Sequence, residues 1–550
     1  MSVRRIAIVN LTRLGDLLQT SPTVAGLRRA HPEAEITLVA EKNFAEVCEA
    51  IPGVDHVYRL DLDRLGHLLL AGGARVGEAY HAVRETVAEL RAQRFELALN
   101  FSSSRMSAVL LGLLDVPDVR GWSMTEDGFR AIQTPWARLF ATLCLHRSVA
   151  GFNLVDCYRG VAGCLDVPER GLSFNVTGEA RQAIAERLRA AGVADDARVV
   201  ALQLGASRPI RRWPLESFAT LAGDLARDGS RIVLVGGAGE RELAQELLRA
   251  CTGSDPALID LCGRTSIREL AALLERCALL VTGDTGPMHM AAAMRTPIVG
   301  LFFGPALPFD TGPYGADHVL LHAAVGCAPC DHAVHCLDPF CRTTIAPRLV
   351  ASVARARLAA DWPALGALAN DAPPAVRLYR TFFDEHGLFD CSALGTRPAR
   401  REDELRWAYR ATWLALLEGR ALPSARRATI DLAPFAALGE LAGLGAEVAT
   451  RLGALASGGV RALEELQRLG RELDALDRAI AEHGRIHPDV AVLTQMFAFE
   501  KETLPAGDVA ALAEASARLY RALARSAAWM IGLLGGGREA REVEHASLRQ

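Results

Sequence analysis

Residues 278–305 read Ala-Leu-Leu-Val-Thr-Gly-Asp-Thr-Gly-Pro-Met-His-Met-Ala-Ala-Ala-Met-Arg-Thr-Pro-Ile-Val-Gly-Leu-Phe-Phe-Gly-Pro. An apolar run, Ala278 to Val281, stops at a Gly-Asp-Thr-Gly turn. Pro287 then falls in the first turn of an Ala/Met-rich segment, where a helix tolerates proline. A second apolar run, Pro297 to Phe303, ends at Gly304-Pro305. The order is strand, tight polar turn, helix, strand. Such a turn sets free N–H groups and the positive end of a helix dipole at the carboxyl end of a strand, which suits a phosphate or diphosphate. Asp and Thr are also ordinary helix N-caps, so the turn alone reads equally well as a cap.

Working outward, the same alternation fills the preceding chain. Ile6–Val9, Ile36–Ala40, Val57–Leu60 and Leu97–Asn100 read as strands, with helical spacing over Asp16–Ala30 and Ala82–Arg94. The pattern restarts with strands at Val199–Leu204 and Ile232–Gly236 and helices at Glu240–Arg249 and Ile267–Arg276. This βαβ alternation argues for parallel sheets covered on both faces. Two α/β halves, residues 1–170 and 171–350, joined near 166–198, account for it. From about 350 the strand signals stop and Ala/Leu/Arg/Glu segments take over: Glu404–Glu418, Phe435–Leu455, Val460–His483 and Val509–Leu534. Residues 351–550 are therefore expected to form an all-α region, with the leucine stripe Leu463, Leu466, Leu469, Leu473 and Leu476 as core or self-association surface. The tail from Gly535 is expected to fray.

Composition sets bounds. A chain of 550 residues is expected to divide into about three domains. The net charge of −4 gives no support for nucleic-acid binding through a basic surface. Lysine occurs only at positions 42 and 501, so the positive charge is almost all arginine. No apolar run reaches the roughly 18 residues that span a bilayer. The start reads as a first buried strand, placing the chain in the cytoplasm, at most peripheral to the inner membrane. The mixed Arg/Glu pattern of the C-terminal helices argues against their lying on a membrane. Cysteines at 144, 164, 251 and 277 fall in apolar segments as small hydrophobes.

Four places carry chemistry. Asp16, after the first strand, reads either as a base facing the ligand crevice or as a helix cap. Arg208, Arg211 and Arg212, in a loop closed by Trp213-Pro214, read as neutralising a diphosphate or as a solvated basic loop, and the Trp-Pro anchor at the helix entry favours the first. Glu240 follows Gly236-Gly-Ala-Gly239 and reads as a ribose ligand or a first-turn acid. Cys327, Cys330, Cys336 and Cys341, interleaved with His332 and His335, fit either a structural zinc or iron site or a loop of reduced thiols.

In order and spacing these motifs resemble glycosyltransferase family 9, the ADP-heptose heptosyltransferases of lipopolysaccharide core assembly. The resemblance rests on Thr12-Arg-Leu-Gly-Asp16-Leu-Leu-Gln-Thr-Ser-Pro22, Arg211-Arg-Trp-Pro214, Gly237-x-x-Glu240, Gly263-Arg-Thr265-Ser-Ile-Arg-Glu-Leu270 and Gly283-Asp-Thr-Gly-x-x-His289-x-Ala-Ala, and covers about residues 1–350. It implies a GT-B fold of two Rossmann-like domains, the first for the acceptor and the second for the donor, here followed by an all-α C-terminal domain. It implies inverting transfer from an ADP-sugar with Asp16 as general base and no catalytic metal. Arg211, Arg212, Glu240, Thr265, Asp284, Thr285, Gly286 and His289 would hold the donor. The implied partners are a nucleotide-sugar, ADP-heptose first, and a glycan, lipid-linked or protein acceptor. The chain departs from the family in having Arg211 where a lysine is usual and in its helical extension, which leaves open a protein O-glycosyltransferase or an inactive GT-B scaffold acting through the helices.

Overall fold

The computed structural model describes residues 3–70, 75–125, 127–167, 169–251, 258–331, 334–458, 463–504 and 507–536. The chain forms two compact units, Met1–Gly128 with Phe152–Pro398, and Phe129–Gly151 with Ala399–Gln550.

The first unit begins with β1 (Arg5–Val9), α1 (Leu14–Leu18), α2 (Ser21–Ala30), β2 (Glu35–Glu41), α3 (Ala45–Glu49), β3 (His56–Leu60), α4 (Leu62–Leu70), α5 (Val76–Ala92), β4 (Leu97–Asn100), α6 (Arg105–Gly112) and β5 (Asp118–Met124). These strands run parallel in the order β3-β2-β1-β4-β5. The helix expected over Asp16–Ala30 is two helices. It breaks at Gln19-Thr20, just before Pro22 in the first turn of α2.

The chain then gives β6 (Arg130–Gln133) and α7 (Pro135–Leu145) to the second unit and returns with α8 (Leu154–Ala162) and α9 (Gly178–Ala190). A second alternation follows: β7 (Val199–Gln203), α10 (Leu215–Arg227), β8 (Arg231–Val235), α11 (Arg241–Cys251), β9 (Leu258–Asp260), α12 (Ile267–Arg276), β10 (Leu279–Gly283), α13 (Gly286–Ala293), β11 (Ile298–Phe302) and β12 (Val319–Ala323). The quoted stretch supplies two central strands, β10 and β11, paired in parallel with Val281 opposite Val299. Every residue of both is buried, as a sheet covered on two faces requires.

Strand structure does not end near 350. After α14 (Cys341–Thr344), α15 (Pro347–Leu358) and α16 (Trp362–Asp371), an antiparallel hairpin, β13 (Val376–Phe383) and β14 (Phe389–Ala393), extends the second sheet to the order β14-β13-β12-β11-β10-β7-β8-β9. Its signal is easily missed because Arg377 and Arg380 interrupt the apolar residues and Ala/Leu-rich helices precede it. The hairpin is fastened to α8 by a buried cluster. Asp156 takes Arg159 Nη1 at 2.9 Å, the Tyr314 hydroxyl at 2.8 Å and the Phe389 N–H at 2.9 Å.

The all-helical region starts at α17 (Arg401–Glu418) and continues through α18 (Ala433–Ser457), α19 (Leu463–Ile486), α20 (Ala491–Glu502) and α21 (Val509–Leu534). α18 and α21 pack along each other, with Gly445 leaving room for the Tyr520 ring. Leu469 and Leu473 of the leucine stripe are core, whereas Leu463 is exposed. The frayed tail expected from Gly535 falls, beyond Gly536, outside the described residues.

No described helix is long and apolar enough to cross a membrane. All twelve cysteines are unpaired. Cys164, Cys251 and Cys277 are buried as expected, but Cys144 is exposed near the end of its helix.

Candidate functional site

Both sheets share one topological device. The first strand of each, β1 or β7, has the second strand on one side and the fourth, β4 or β10, on the other. Chain direction away from the centre therefore reverses beside β1 and beside β7, and crevices open there at the carboxyl ends of parallel strands. Asp16 follows β1. The arginine loop follows β7, Glu240 follows β8, Thr265 follows β9, and Asp284 follows β10.

The first turns of α1 and α13 meet through two glycines. A Cβ on Gly15 would lie 2.7 Å from His289 Cδ2 and 3.6 Å from Gly286 Cα. A Cβ on Gly286 would lie 3.0 Å from Leu14 Cδ2. This close approach brings Asp16 under the influence of Asp284. The Asp16 carboxyl is pushed from 3.8 to about 6, by burial first and by the Asp284 charge second. Hydrogen bonds from the Arg13 N–H and the Thr12 side chain pull the other way but do not win. Asp16 stands third in α1, and no side chain caps that helix from position 13. Buried Asn10 holds the Asp16 backbone, its Nδ2 donating to the carbonyl at 3.2 Å, and itself accepts from Thr12 Oγ1 at 2.5 Å. The pull of the Arg13 N–H gives Asp16 part of the capping role allowed by the sequence. The raised pKa shows that the position costs more than the cap returns.

On the facing side, Arg211 Nη2 reaches Asp284 Oδ2 at 2.7 Å and also bonds the Asp284 carbonyl. Thr311, which sequence reasoning passed over, donates to the same carboxylate oxygen at 3.2 Å. Arg211 Nε is buried without a partner, so one edge of the guanidinium keeps an unused donor. Thr285 stands at the N-cap of α13, yet its side chain makes no cap hydrogen bond. The capping reading of the turn thus fails at Thr285, and the turn's N–H groups are left uncapped by it. His289 lies buried in α13 with its Nδ1 unpartnered, and burial lowers its pKa to about 4, so it is neutral at physiological pH.

Glu240 ends a short turn before α11 and folds back over the ends of β7 and β8. Its Oε2 accepts the Gly237 N–H at 2.5 Å and its Oε1 accepts Gln203 Nε2 at 3.1 Å. Only glycine fits beneath it: a Cβ on Gly205 would fall 1.6 Å from Oε1 and one on Gly236 2.4 Å from Oε2. Burial raises the Glu240 pKa, and the Arg212 charge is among the effects opposing this. Arg212 also donates to the Ala206 carbonyl at 3.0 Å, fastening its own loop. Thr265 is half-buried in the loop before α12, which packs on the Glu240 turn through Gly263. Gly263 has φ +63°, and a Cβ there would lie 2.7 Å from Ala238 Cα.

Of the two readings of the cysteine loop, a structural zinc or iron site or a set of reduced thiols, the described residues give no support to the first. Among the described residues, no group of three or more His, Cys, Asp or Glu side chains is arranged to hold a metal. Cys341 is buried, Cys330 half-buried, and Cys327 and Cys336 exposed, so the thiols face different surroundings. They are near enough that, after burial, the neighbouring thiols raise the Cys330 pKa. His332 lies outside the described residues. Arginine side chains tie the loop to the arginine loop: Arg208 donates to the Val334 carbonyl at 2.6 Å and Arg342 to the Pro209 carbonyl at 3.0 Å. Trp213, buried, donates to the Ile345 carbonyl at 3.0 Å.

Residues 83–340 match the sequence profile described as Glycosyltransferase family 9 (heptosyltransferase). Over those residues the α/β part of the chain is similar to glycosyltransferase family 9. The chain is a glycosyltransferase, and its two mainly parallel sheets form the GT-B fold. It is 23% identical over 292 residues to lipopolysaccharide heptosyltransferase 3 of Escherichia coli, covering 52% of this chain and 80% of that one. It is 27% identical over 375 residues to lipopolysaccharide heptosyltransferase 1 of Pseudomonas aeruginosa, covering 65% of this chain and 98% of that one. Among solved structures it is similar to a family 9 glycosyltransferase of Veillonella parvula, with TM-score 0.53 and 24% identity over 66% of this chain and 99% of that one. The family 9 profile ends before the all-helical region begins.

Proposed function

We propose that this glycosyltransferase moves a sugar, heptose first among candidates, from an ADP-sugar to a lipopolysaccharide-core or related surface-glycan hydroxyl, inverting the anomeric centre. The observation that carries the reading is Asp16, a carboxylate raised to about 6 and set beside Asp284 where α1 meets α13. A carboxylate poised there accepts a proton from a hydroxyl near neutral pH far better than an ordinary aspartate.

In this reading the acceptor oxygen attacks the anomeric carbon while its proton passes to Asp16. The bond from that carbon to the diphosphate oxygen breaks, and ADP leaves with the electron pair. The N–H groups of Thr285 and Gly286 and the free edge of Arg211 receive the charge that develops on the leaving group. Asp284, held by Arg211 and Thr311, faces the sugar, and His289 stays neutral behind it. Glu240 and Thr265 hold the nucleoside side, with Arg212 balancing Glu240. The step uses no metal. The relatives' names support the donor and acceptor classes.

The test is transfer from ADP-heptose, and from a panel of other nucleotide sugars, by the full chain and by Asp16→Ala. Transfer by the wild type that vanishes in the variant is expected. Unimpaired transfer by the variant removes the base. Titration calorimetry with ADP separates an enzyme from a scaffold, which binds none. The region α17–α21, outside the matched profile, favours a second reading in which the acceptor is a protein. Mass spectrometry of candidate proteins after reaction distinguishes it, a heptose adduct on a side chain being the sign.

A further inference from the structure

Gln203 closes β7 and is buried, with 2% of its surface exposed. Its amide joins two parts of the site that lie far apart in sequence. Nε2 donates to Glu240 Oε1 at 3.1 Å. Oε1 lies 3.3 Å from the hydroxyls of both Thr282 and Thr285, which lie 3.1 Å apart and also reach the Gly283 carbonyl, at 2.9 and 3.5 Å. The partners set the orientation of the amide, because the reverse would aim its oxygen at a carboxylate.

Thr285 has the extended backbone of an N-cap, φ −148° and ψ 167°. In that conformation a threonine ordinarily turns its hydroxyl onto a first-turn N–H. Pro287 has removed one of those N–H groups, and the Met288 N–H returns to the Thr285 carbonyl at 3.0 Å. The donors left for a ligand are few, and a capping hydroxyl would sit among them. Gln203 instead draws that hydroxyl back toward the end of β7.

We propose that Gln203 is a positioning residue: it holds the Thr285 hydroxyl off the N-terminus of α13, keeping that end open to a diphosphate, and ties the turn to Glu240. The proposal rests on the donor-site reading above. Without the amide the hydroxyl is free to turn onto the Met288 N–H, the one cap target that Pro287 leaves, in place of the Thr285 carbonyl, and there it crowds the ligand. A threonine cap is worth about 1 kcal/mol, which corresponds to about a fivefold loss of affinity.

The experiment is calorimetric titration of the full-length chain with ADP, for wild type, Gln203→Met and the double variant Gln203→Met with Thr285→Val. The single variant is expected to bind at least about fivefold more weakly. The double variant is expected to regain affinity relative to it, because valine cannot cap, although the lost tether to Glu240 keeps it below wild type. Loss through general damage to the strand would not be rescued by a second substitution. Wild-type affinity in the single variant, or no recovery in the double, overturns the proposal while leaving the donor site standing. A wild-type chain that binds no ADP overturns the donor-site reading and this proposal together. If the methionine variant misfolds, Gln203→Asn, which draws a buried amide back by one methylene, carries the same expectations.

Discussion

Replacing Asp16 by asparagine should cut transfer severely and make the protein more stable. The Asp16 pKa stands at about 6 in the fold against an ordinary 3.8. The folded state therefore holds this proton more tightly than the unfolded chain does. Stability falls as pH rises from about 4 through 6 and stays lowered above that. The shift corresponds to about 3 kcal/mol against the fold at pH 7.5, and to about half of that at pH 5. Asparagine cannot ionise, keeps an acceptor for the Arg13 N–H, and removes a negative charge from beside Asp284. The variant should gain on the order of 1–3 kcal/mol at pH 7.5, less at pH 5, with transfer reduced about 10²–10⁴-fold. Urea unfolding of the α/β unit at the two pH values, together with kcat on ADP-heptose, measures both effects. A variant less stable than wild type at pH 7.5 would show that Asp16 serves the fold as a cap, and the reasoning from its raised pKa would be refuted.

Further expectations follow from the same geometry. In wild type, kcat/KM should rise about tenfold between pH 5 and 7 as Asp16 loses its proton, and Asp284→Asn should move that rise to lower pH by removing the like charge; a flat profile over this range contradicts the assignment. Gly15→Ala places a methyl 2.7 Å from His289 Cδ2, so calorimetry should show a loss of about 1–3 kcal/mol, with kcat/KM at least about tenfold lower. Gly205→Ala would put a carbon 1.6 Å from Glu240 Oε1, so the carboxylate must leave Gln203, and ADP affinity should fall about tenfold in titration. Asp156→Asn leaves the buried Arg159 charge without its counter-ion and should cost about 3–5 kcal/mol in urea unfolding, without altering the pH dependence of kcat/KM.

The extent to which the molecule was legible in sequence follows the range of the interactions involved. The turn between β10 and α13, the restart of the alternation at β7, and the placement of Asp16, Glu240 and Asp284 at strand ends are local matters of periodicity and punctuation, and they could be read. The hairpin β13–β14 could not. β13, paired on both sides by β12 and β14, mixes fully buried with half-buried positions, and Val376 to Phe383 shows its apolar residues between arginines, directly after two alanine-rich helices. The ambiguity of Thr285 is more instructive. Whether its hydroxyl caps α13 depends on Gln203, 82 residues earlier, a residue whose strand position looks like that of any polar end residue. Likewise a glycine beside Asp16 is unremarkable until Gly286 arrives from the other sheet. In both cases the motif names the groups that can act, and the distant partner decides which of them are free to do so. The cysteine loop shows the converse. Four thiols in 15 residues allowed a metal, but ligation requires convergence of side chains, and the thiols of the described loop differ in burial while the loop is fastened through the Val334 carbonyl and the Arg342 side chain. Spacing specifies what can be brought together, and tertiary contacts decide whether it is. The geometry of this site therefore depends as much on Gly15, Gln203 and Thr311 as on the acids that first drew attention to it.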